Sequence, residues 1–202
     1  MALWLAPAPL VLASRSAARR ALLEAAGVPV ELRPADLDER ALEAGAGAPD
    51  PPAIAVLLAR QKACFVSKAY PGRLVLGADQ TLAFGGKPFS KSPDRPAARA
   101  QLQALRGRSH ELHAAIAFVQ DGAVVFEHLE TARLTMRSFS DAFLDRYLET
   151  VGEGALTSVG GYQLEGLGIQ LFERIDGDYF TILGLPLLPA LEVLRQRGCL
   201  AR

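Results

Sequence analysis

Apolar residues fall along this chain in two alternating patterns: short continuous runs, and stripes at helical spacing. Leu10-Val11-Leu12 is a run that predicts a buried strand. Ala18, Leu22, Leu23 and Ala26 then mark one helix face, which Gly27 ends and Ser14 or Ser16 caps. Val28 to Leu32 reads as a second strand. Pro52 to Lys68 reads as a helix with Ile54, Leu57, Leu58 and Ala59 inward. Leu74-Val75-Leu76 and Thr81 to Phe84 read as two strands that meet at Asp79-Gln80 and lead into a Gly85-Gly86 turn. Pro96 to Leu105 predicts a helix that ends near Gly107. Ala114 to Val119 and Ala123 to Phe126 flank Asp121-Gly122, a strong hairpin pair, and Leu129 to Met136 continues as strand. Asp141 to Glu149 is a helix capped by Ser140. Ile169 to Ile175 reads as strand before an Asp176-Gly177 turn, and Leu187 to Arg197 as a last helix between Pro186 and Gly198.

Chemistry enters at the polar interruptions. Asp79 follows Gly77-Ala78, small residues that leave room for a ligand, and Lys91 lies beyond the glycine turn. A carboxylate and a lysine there suit metal-assisted attack on a phosphate. An acid that ends a strand, with a solvated lysine nearby, fits the same letters. Arg19 and Arg20 fall in the first turn of a helix, where the macrodipole disfavours cations. That placement makes sense if an anion docks on the free amides beside Ser14 and Ser16; arginines that reach into water are the plainer account. Lys62 follows the inward Leu58 by four positions and so shares its face. A lone helical lysine more often faces solvent.

Asp36, Asp38 and Glu39 form an acidic cluster before a loop from Gly45 to Pro52. Such acids serve as oxygen ligands or simply solvate a loop. His110 and His113 point to opposite sides of a strand and lack the i, i+4 spacing of a zinc motif, so a zinc site is rejected. Gly152 to Gly168 holds Tyr162, Gln163 and Glu165 in permissive backbone. It matches neither a Walker A nor a dinucleotide fingerprint.

Composition narrows the class. The chain has 202 residues with 22 basic and 22 acidic side chains. Half of it is apolar. This fits a single domain over 1–202 and gives no electrostatic footprint for nucleic acid. Cys64 and Cys199 read as reduced cytosolic thiols. The apolar start, Met1 to Ala13, is too short to span a bilayer and lacks a basic leader. A soluble, cytoplasmic protein with no membrane partner is expected.

Several of these stretches together carry a resemblance. They are Leu12 to Gly27, Asp38-Glu39, Leu58 to Ala63, GADQ at 77–80, Ser90-Lys91, GYQLEG at 161–166 and GLPL at 184–187. In that order they resemble the Maf-like (septum formation inhibitor) family over nearly the whole chain. The resemblance implies an α/β fold of the Maf/inosine-triphosphatase type: an elongated mixed sheet flanked by helices, with a cleft between two lobes. It implies a nucleoside triphosphate pyrophosphatase that releases NMP and diphosphate, a divalent cation (Mg²⁺ or Mn²⁺) and a homodimer.

Residue by residue, the resemblance makes Asp79 the proton acceptor. Ser14, Arg19, Lys62 and Lys91 become triphosphate-binding residues, with Ser16 beside them a substrate-binding candidate, and Glu39 joins Asp79 in holding metal. Two departures stand out: Ala17 where the family usually has proline, and Ser90-Lys91-Ser92 where it usually has Gly-Lys-Pro. Base selection falls to Ala18, Gln80 and Glu165. The family's thymidine/uridine triphosphate subgroup has Arg and Gln where this chain has Ala18 and Glu165. The 7-methyl-GTP subgroup has an aromatic residue at the first position and matches at Gln80 and Glu165. The implied substrate is therefore a guanine-type, N7-methylated triphosphate, with broad residual activity. Two rivals remain: a regulator of cell division that senses nucleotide and acts by binding protein, and a house-cleaning hydrolase of the inosine-triphosphate pyrophosphatase type.

Overall fold

The computed structural model describes residues 3–47 and 50–202. Residues 48 and 49 of the loop expected over Gly45 to Pro52 lie outside that range. Among the described residues no helix is long and apolar enough to cross a membrane.

Strand β1 (Leu10–Leu12) leads through Ser14-Arg15-Ser16 to helix α1 (Ala17–Ala25) and strand β2 (Val30–Leu32). Ser16 is the cap of α1, its hydroxyl accepting from the Arg19 amide at 3.3 Å. The acidic cluster is only partly loop: Asp36 lies in the connecting segment, whereas Glu39 opens a helix. Asp38 caps a short helix α2 (Glu39–Gly45) by accepting from the Ala41 amide at 3.0 Å. Glu39 then sits in the first turn, where the macrodipole favours it. Helix α3 (Pro51–Ser67) follows, with Asp50 as cap and proline in its first turn, where the missing N–H costs nothing.

The two strands expected to meet at Asp79 are one strand, β3 (Leu74–Phe84). Asp79 and Gln80 keep its alternation, one polar residue on each buried face, so neither breaks it. Gly85 and Gly86, at φ +59° and +76°, then turn the chain into β4 (Lys87–Phe89), as a two-residue hairpin requires. Helix α4 (Arg95–Leu105), strands β5 (Ser109–Gln120) and β6 (Ala123–Met136), and helices α5 (Asp141–Val151) and α6 (Gly154–Thr157) come next. The strand expected from Ile169 begins only at Phe172: β7 spans Phe172–Asp176, after a 3-10 turn over Leu167–Leu171. Gly168 lies so close to Gln163 that a Cβ there would meet its carbonyl oxygen at 2.4 Å. That tight coil leaves no extended run. A short helix α7 (Tyr179–Ile182), absent from the expectation, precedes α8 (Leu187–Gln196).

The sheet has the order β2-β1-β3-β5-β6-β7, with β1 parallel to β2 and β3 and the other pairs antiparallel. One face packs on α3, where Val75, Ala115, Ala117 and Val119 meet Ala55, Ala59, Ala63 and Val66. The other face carries two separate cores. Leu12, Leu76, Ile116 and Phe118 lie under Leu23 of α1 and Val193 and Leu194 of α8. Leu82, Leu112, Leu134 and Met136 lie under Leu102 of α4 and Leu144 of α5. Each fully buried leucine is worth about 1.5–3 kcal/mol, so each lobe has its own source of stability.

The open place between the lobes is fixed by β3. From Leu74 to Ala83 it pairs with β5 on one edge. On the other edge β1 covers it only to Leu76, and β4 begins again at Leu82. Among the described residues no strand lies beside Ala78, Asp79, Gln80 and Thr81 on that edge. Strand β1 runs into this gap from one side and β4 from the other, so the Ser14-to-Ser16 turn and Ser90-Lys91 both leave their strands at its rim.

Candidate active site

Asp79 is placed by helix packing. Gly77 sits two residues earlier on the same face, directly under α3. A Cβ on Gly77 would lie 2.1 Å from the Ala59 carbonyl oxygen and 2.9 Å from the Ala63 Cβ. Glycine here therefore serves close approach, with alanines supplying the matching helix surface. Thr81, on the same face again, donates its hydroxyl proton to the Pro51 carbonyl at 2.7 Å and ties down the start of α3.

With helix and strand in contact, Lys62 reaches the gap. Its Nζ donates to Asp79 Oδ1 at 2.6 Å and lies 2.8 Å from Glu39 Oε1. The side chains of Lys62 and Asp79 are only 12% and 11% exposed, whereas Glu39 is 47% exposed. Burial pushes the Asp79 carboxyl above its ordinary range, and the charges of Lys62 and Arg19 oppose that shift without cancelling it. Glu43, one turn along α2 from Glu39, is raised too, first by burial and then by the charges of Asp79 and Glu39. Its i, i+4 spacing from Glu39 was the available signal; sequence reasoning missed it.

Arg19 and Arg20 separate cleanly. Arg20 pairs with Glu24 at 2.7 Å on the outer face of α1. Arg19 turns inward. Its Nε donates to the Gly184 carbonyl at 2.8 Å. Its Nη1 donates to the Ala78 carbonyl at 2.7 Å and to Ser14 Oγ at 3.1 Å. Ser14 is buried and also accepts from the Ser16 amide at 3.2 Å. The guanidinium thus caps the unpaired edge of β3, and Nη2 donates to no protein atom among the described residues. Burial lowers its pKa while Asp79 and Glu39 raise it; arginine stays charged throughout.

The remaining candidates lie further out. Gln80 is on the opposite face of β3 from Asp79, and its Nε2 donates to the Thr181 and Ile182 carbonyls at 2.9 and 3.0 Å. Ala18 is half-buried in the first turn of α1, and Lys91 is exposed. Gln101 holds the turn that carries Lys91 by donating to the Ser90 carbonyl at 2.7 Å. Glu165 is exposed in the turn after Tyr162 and Leu164, both buried in the second core. His110 and His113 bind no common partner: His110 meets the Tyr162 hydroxyl at 2.7 Å, and His113 the Thr131 hydroxyl at 2.9 Å. Cys64 and Cys199 are both free thiols.

A buried acid, two fixed cations and a gap between strands form a site for an anion. The sequence profile of the family described as Maf-like protein matches residues 9–197. The chain belongs to the Maf-like family. A relative from Rhodopseudomonas palustris, named nucleoside triphosphate pyrophosphatase, is 56% identical over 201 residues, all of both chains. A 7-methyl-GTP pyrophosphatase from Rhizobium johnstonii is 54% identical over 95% of this chain and 97% of its own. Among solved structures, a HAM1 protein from Coxiella burnetii is similar over 63% of this chain and 72% of its own, with a TM-score of 0.42 and 18% identity.

Among the described residues no group of three or more His, Cys, Asp or Glu side chains is set to hold a metal ion. The donor set nonetheless suits a hard cation that takes part of its shell from substrate. Mg²⁺ is commonly held by one or two carboxylates together with substrate phosphates, and Asp79 and Glu39 face a common point, which Lys62 occupies.

Proposed function

We propose that this Maf-like chain is a nucleoside triphosphate pyrophosphatase that cleaves between the α and β phosphates, giving NMP and diphosphate. The observation that carries the reading is the buried Asp79 carboxylate on Lys62 Nζ, in the strand gap that Arg19 rims. The full-length relative named as such an enzyme supports it.

A triphosphate brings about four negative charges at neutral pH. Lys62, Arg19 and the exposed Lys91 supply the opposing charge, and the Ser14-to-Ser16 turn with the first amides of α1 supplies donors. The attacking water's oxygen forms the new bond to the α phosphorus. Asp79 takes the water proton, and the bridging oxygen leaves with the diphosphate. A carboxyl raised above its ordinary range is a better proton acceptor than a free one, and the cationic rim stabilises charge as it moves onto the leaving group. Glu39 and Asp79 are the residues that would hold Mg²⁺ or Mn²⁺. When bound, the cation supplies further charge neutralisation and acidifies water.

The base preference we propose is guanine-type, with N7-methylated GTP favoured over dTTP and UTP. Glu165 is exposed, and its carboxylate accepts two hydrogen bonds from the N1–H and exocyclic amine of guanine. N7 methylation makes the base cationic and strengthens both bonds. Uracil and thymine offer one donor on that edge. The relative named 7-methyl-GTP pyrophosphatase supports this preference. Ala18 leaves the base without a bulky neighbour, which fits broad residual activity. The proposal takes free nucleotides as substrates, a homodimer as the working form and the cytoplasm as the compartment. A division regulator acting by protein contact needs no buried proton acceptor.

The test is a panel of NTPs, with 7-methyl-GTP, in Mg²⁺ or Mn²⁺, read by diphosphate release. Turnover with guanine-type substrates ahead of dTTP and UTP is expected. Nucleotide binding without turnover would overturn the reading.

A further inference from the structure

Strand β4 stops short of the acid, and its own ladder shows where it would go next. It pairs with β3 as Phe84 with Lys87, Ala83 with Pro88 and Leu82 with Phe89. Antiparallel pairs alternate between bonded and non-bonded. Pro88 has no N–H to give and falls at a non-bonded pair. The next bonded pair would therefore be Gln80 with Lys91. It does not form: the register ends at Leu82 and Phe89. Nothing in the local sequence prevents it, since Pro93 restricts Ser92 and not Lys91. A carbonyl at the non-bonded position opposite Thr81 turns away from β3. This is the Ser90 carbonyl, and there Gln101 Nε2 of α4 donates to it at 2.7 Å.

We infer that Gln101 is a positioning residue: by tying Ser90 to α4 it keeps Lys91 out of the β3–β4 ladder, so that the lysine stays free to meet the phosphate chain. The inference rests on the proposed pyrophosphatase reading and deepens it.

The faces of β3 show what the tie prevents. Side chains alternate along a strand, so a Lys91 paired with Gln80 would lie on the Gln80 face, opposite to Asp79 and Lys62. Its main chain would be bonded there, and its ammonium would reach the phosphate only around the edge of β3. Held at Ser90, the chain turns instead into α4, and Lys91 is exposed at the rim of the gap. The anchor is rigid. Asp94 caps α4 by accepting from the Ala97 amide at 2.8 Å, and Ala98, Leu102 and Leu105 are fully buried in the second core. Among the described residues no other side chain bonds to Ser90, Lys91 or Ser92. The other end of the same amide, Gln101 Oε1, is buried and accepts from no protein atom among the described residues. A half-met buried amide is destabilising, so stability alone does not account for glutamine at this position.

The test uses inorganic tripolyphosphate as a calorimetric binding probe on the full chain, with hydrogen exchange of the Lys91 amide as a second readout. Gln101→Met keeps length but removes the donor. Gln101→Ala, a better helix former, serves if the Met variant does not fold. Either should weaken tripolyphosphate binding about tenfold, the scale of one lost charge-assisted hydrogen bond. Either should also protect the Lys91 amide from exchange, as the ladder takes it in. KM should rise by one common factor across the NTP panel, with the substrate ranking unchanged. In a Lys91→Ala background the same changes should weaken tripolyphosphate binding no further. Wild-type tripolyphosphate affinity in the Gln101 variants would overturn the inference. Equal weakening with and without Lys91 would overturn it too, since the effect would then not pass through the lysine. So would a Lys91 amide that exchanges as fast in the variants as in wild type. A wild-type protein that binds tripolyphosphate but releases no diphosphate from any NTP would instead reject the pyrophosphatase reading, which the binding and exchange arms do not touch.

Discussion

Lys62 Nζ lies 2.6 Å from Asp79 Oδ1, and Gly77 is the reason. The glycine lets α3 rest against the backbone of β3, with 2.1 Å between its absent Cβ and the Ala59 carbonyl. The same contact that buries the alanine face of α3 carries a cation to the acid.

Gly77→Ala should therefore affect stability and chemistry together. The added methyl meets backbone, which cannot rotate away. Overpacking of this kind costs about 3 kcal/mol. Urea unfolding should show that loss, and diphosphate release should fall in the fraction that remains folded. A variant of wild-type stability would mean that α3 does not approach β3 this closely.

Asp79 also sets a pH dependence. Burial holds its carboxyl above the ordinary range, and a proton acceptor must be ionised to work. The acidic limb of kcat/KM should lie above the usual carboxylate region, and Asp79→Asn should remove that limb from the slow turnover that remains. An acidic limb at ordinary carboxylate pH would place the base elsewhere, with Glu39 the first candidate.

His110 governs acid stability. It is 2% exposed, and burial lowers its pKa from 6.5 to about 4. Between those values the unfolded chain binds a proton that the folded protein excludes. Stability is thus fully present above the unfolded value and falls as pH drops towards the folded one. The shift corresponds to about 3 kcal/mol. Urea midpoints measured from pH 7 down to pH 4 should show this decline, and His110→Gln should flatten it. An equally steep decline in the variant would assign it to other groups.

Glu165→Gln exchanges an acceptor-only group for one that also donates. kcat/KM should shift from guanine-type substrates towards dTTP and UTP. The substrate panel checks this, and an unchanged ranking would leave Glu165 outside base selection.

Much of this arrangement was legible from residue order. Ser16 and Ser140 announce their helices as caps. Asp121-Gly122 announces its hairpin, and both residues take positive φ, 51° and 78°. The helix that carries Lys62 is plain from its apolar stripe. The continuity of β3 was not legible, because Asp79-Gln80 looks like a break unless both faces are known to be buried. Helix α2 was hidden by its own cap: Asp38 and Glu39 read as a charged loop. Helix α7 has only four residues and depends on Gln80, a hundred positions away in sequence, so no local pattern reveals it. Gly77 is a small residue near an acid until α3 is laid across it.

The most direct test of the pyrophosphatase account is phosphorus NMR of 7-methyl-GTP turnover in Mg²⁺, with wild type and Asp79→Asn side by side. Wild type should yield resonances of the nucleoside monophosphate and diphosphate. The variant should be slower by about 10²–10⁴, the worth of a general base, with its fold intact by circular dichroism. A nucleoside diphosphate with orthophosphate as products, or wild-type turnover by Asp79→Asn, would contradict the account.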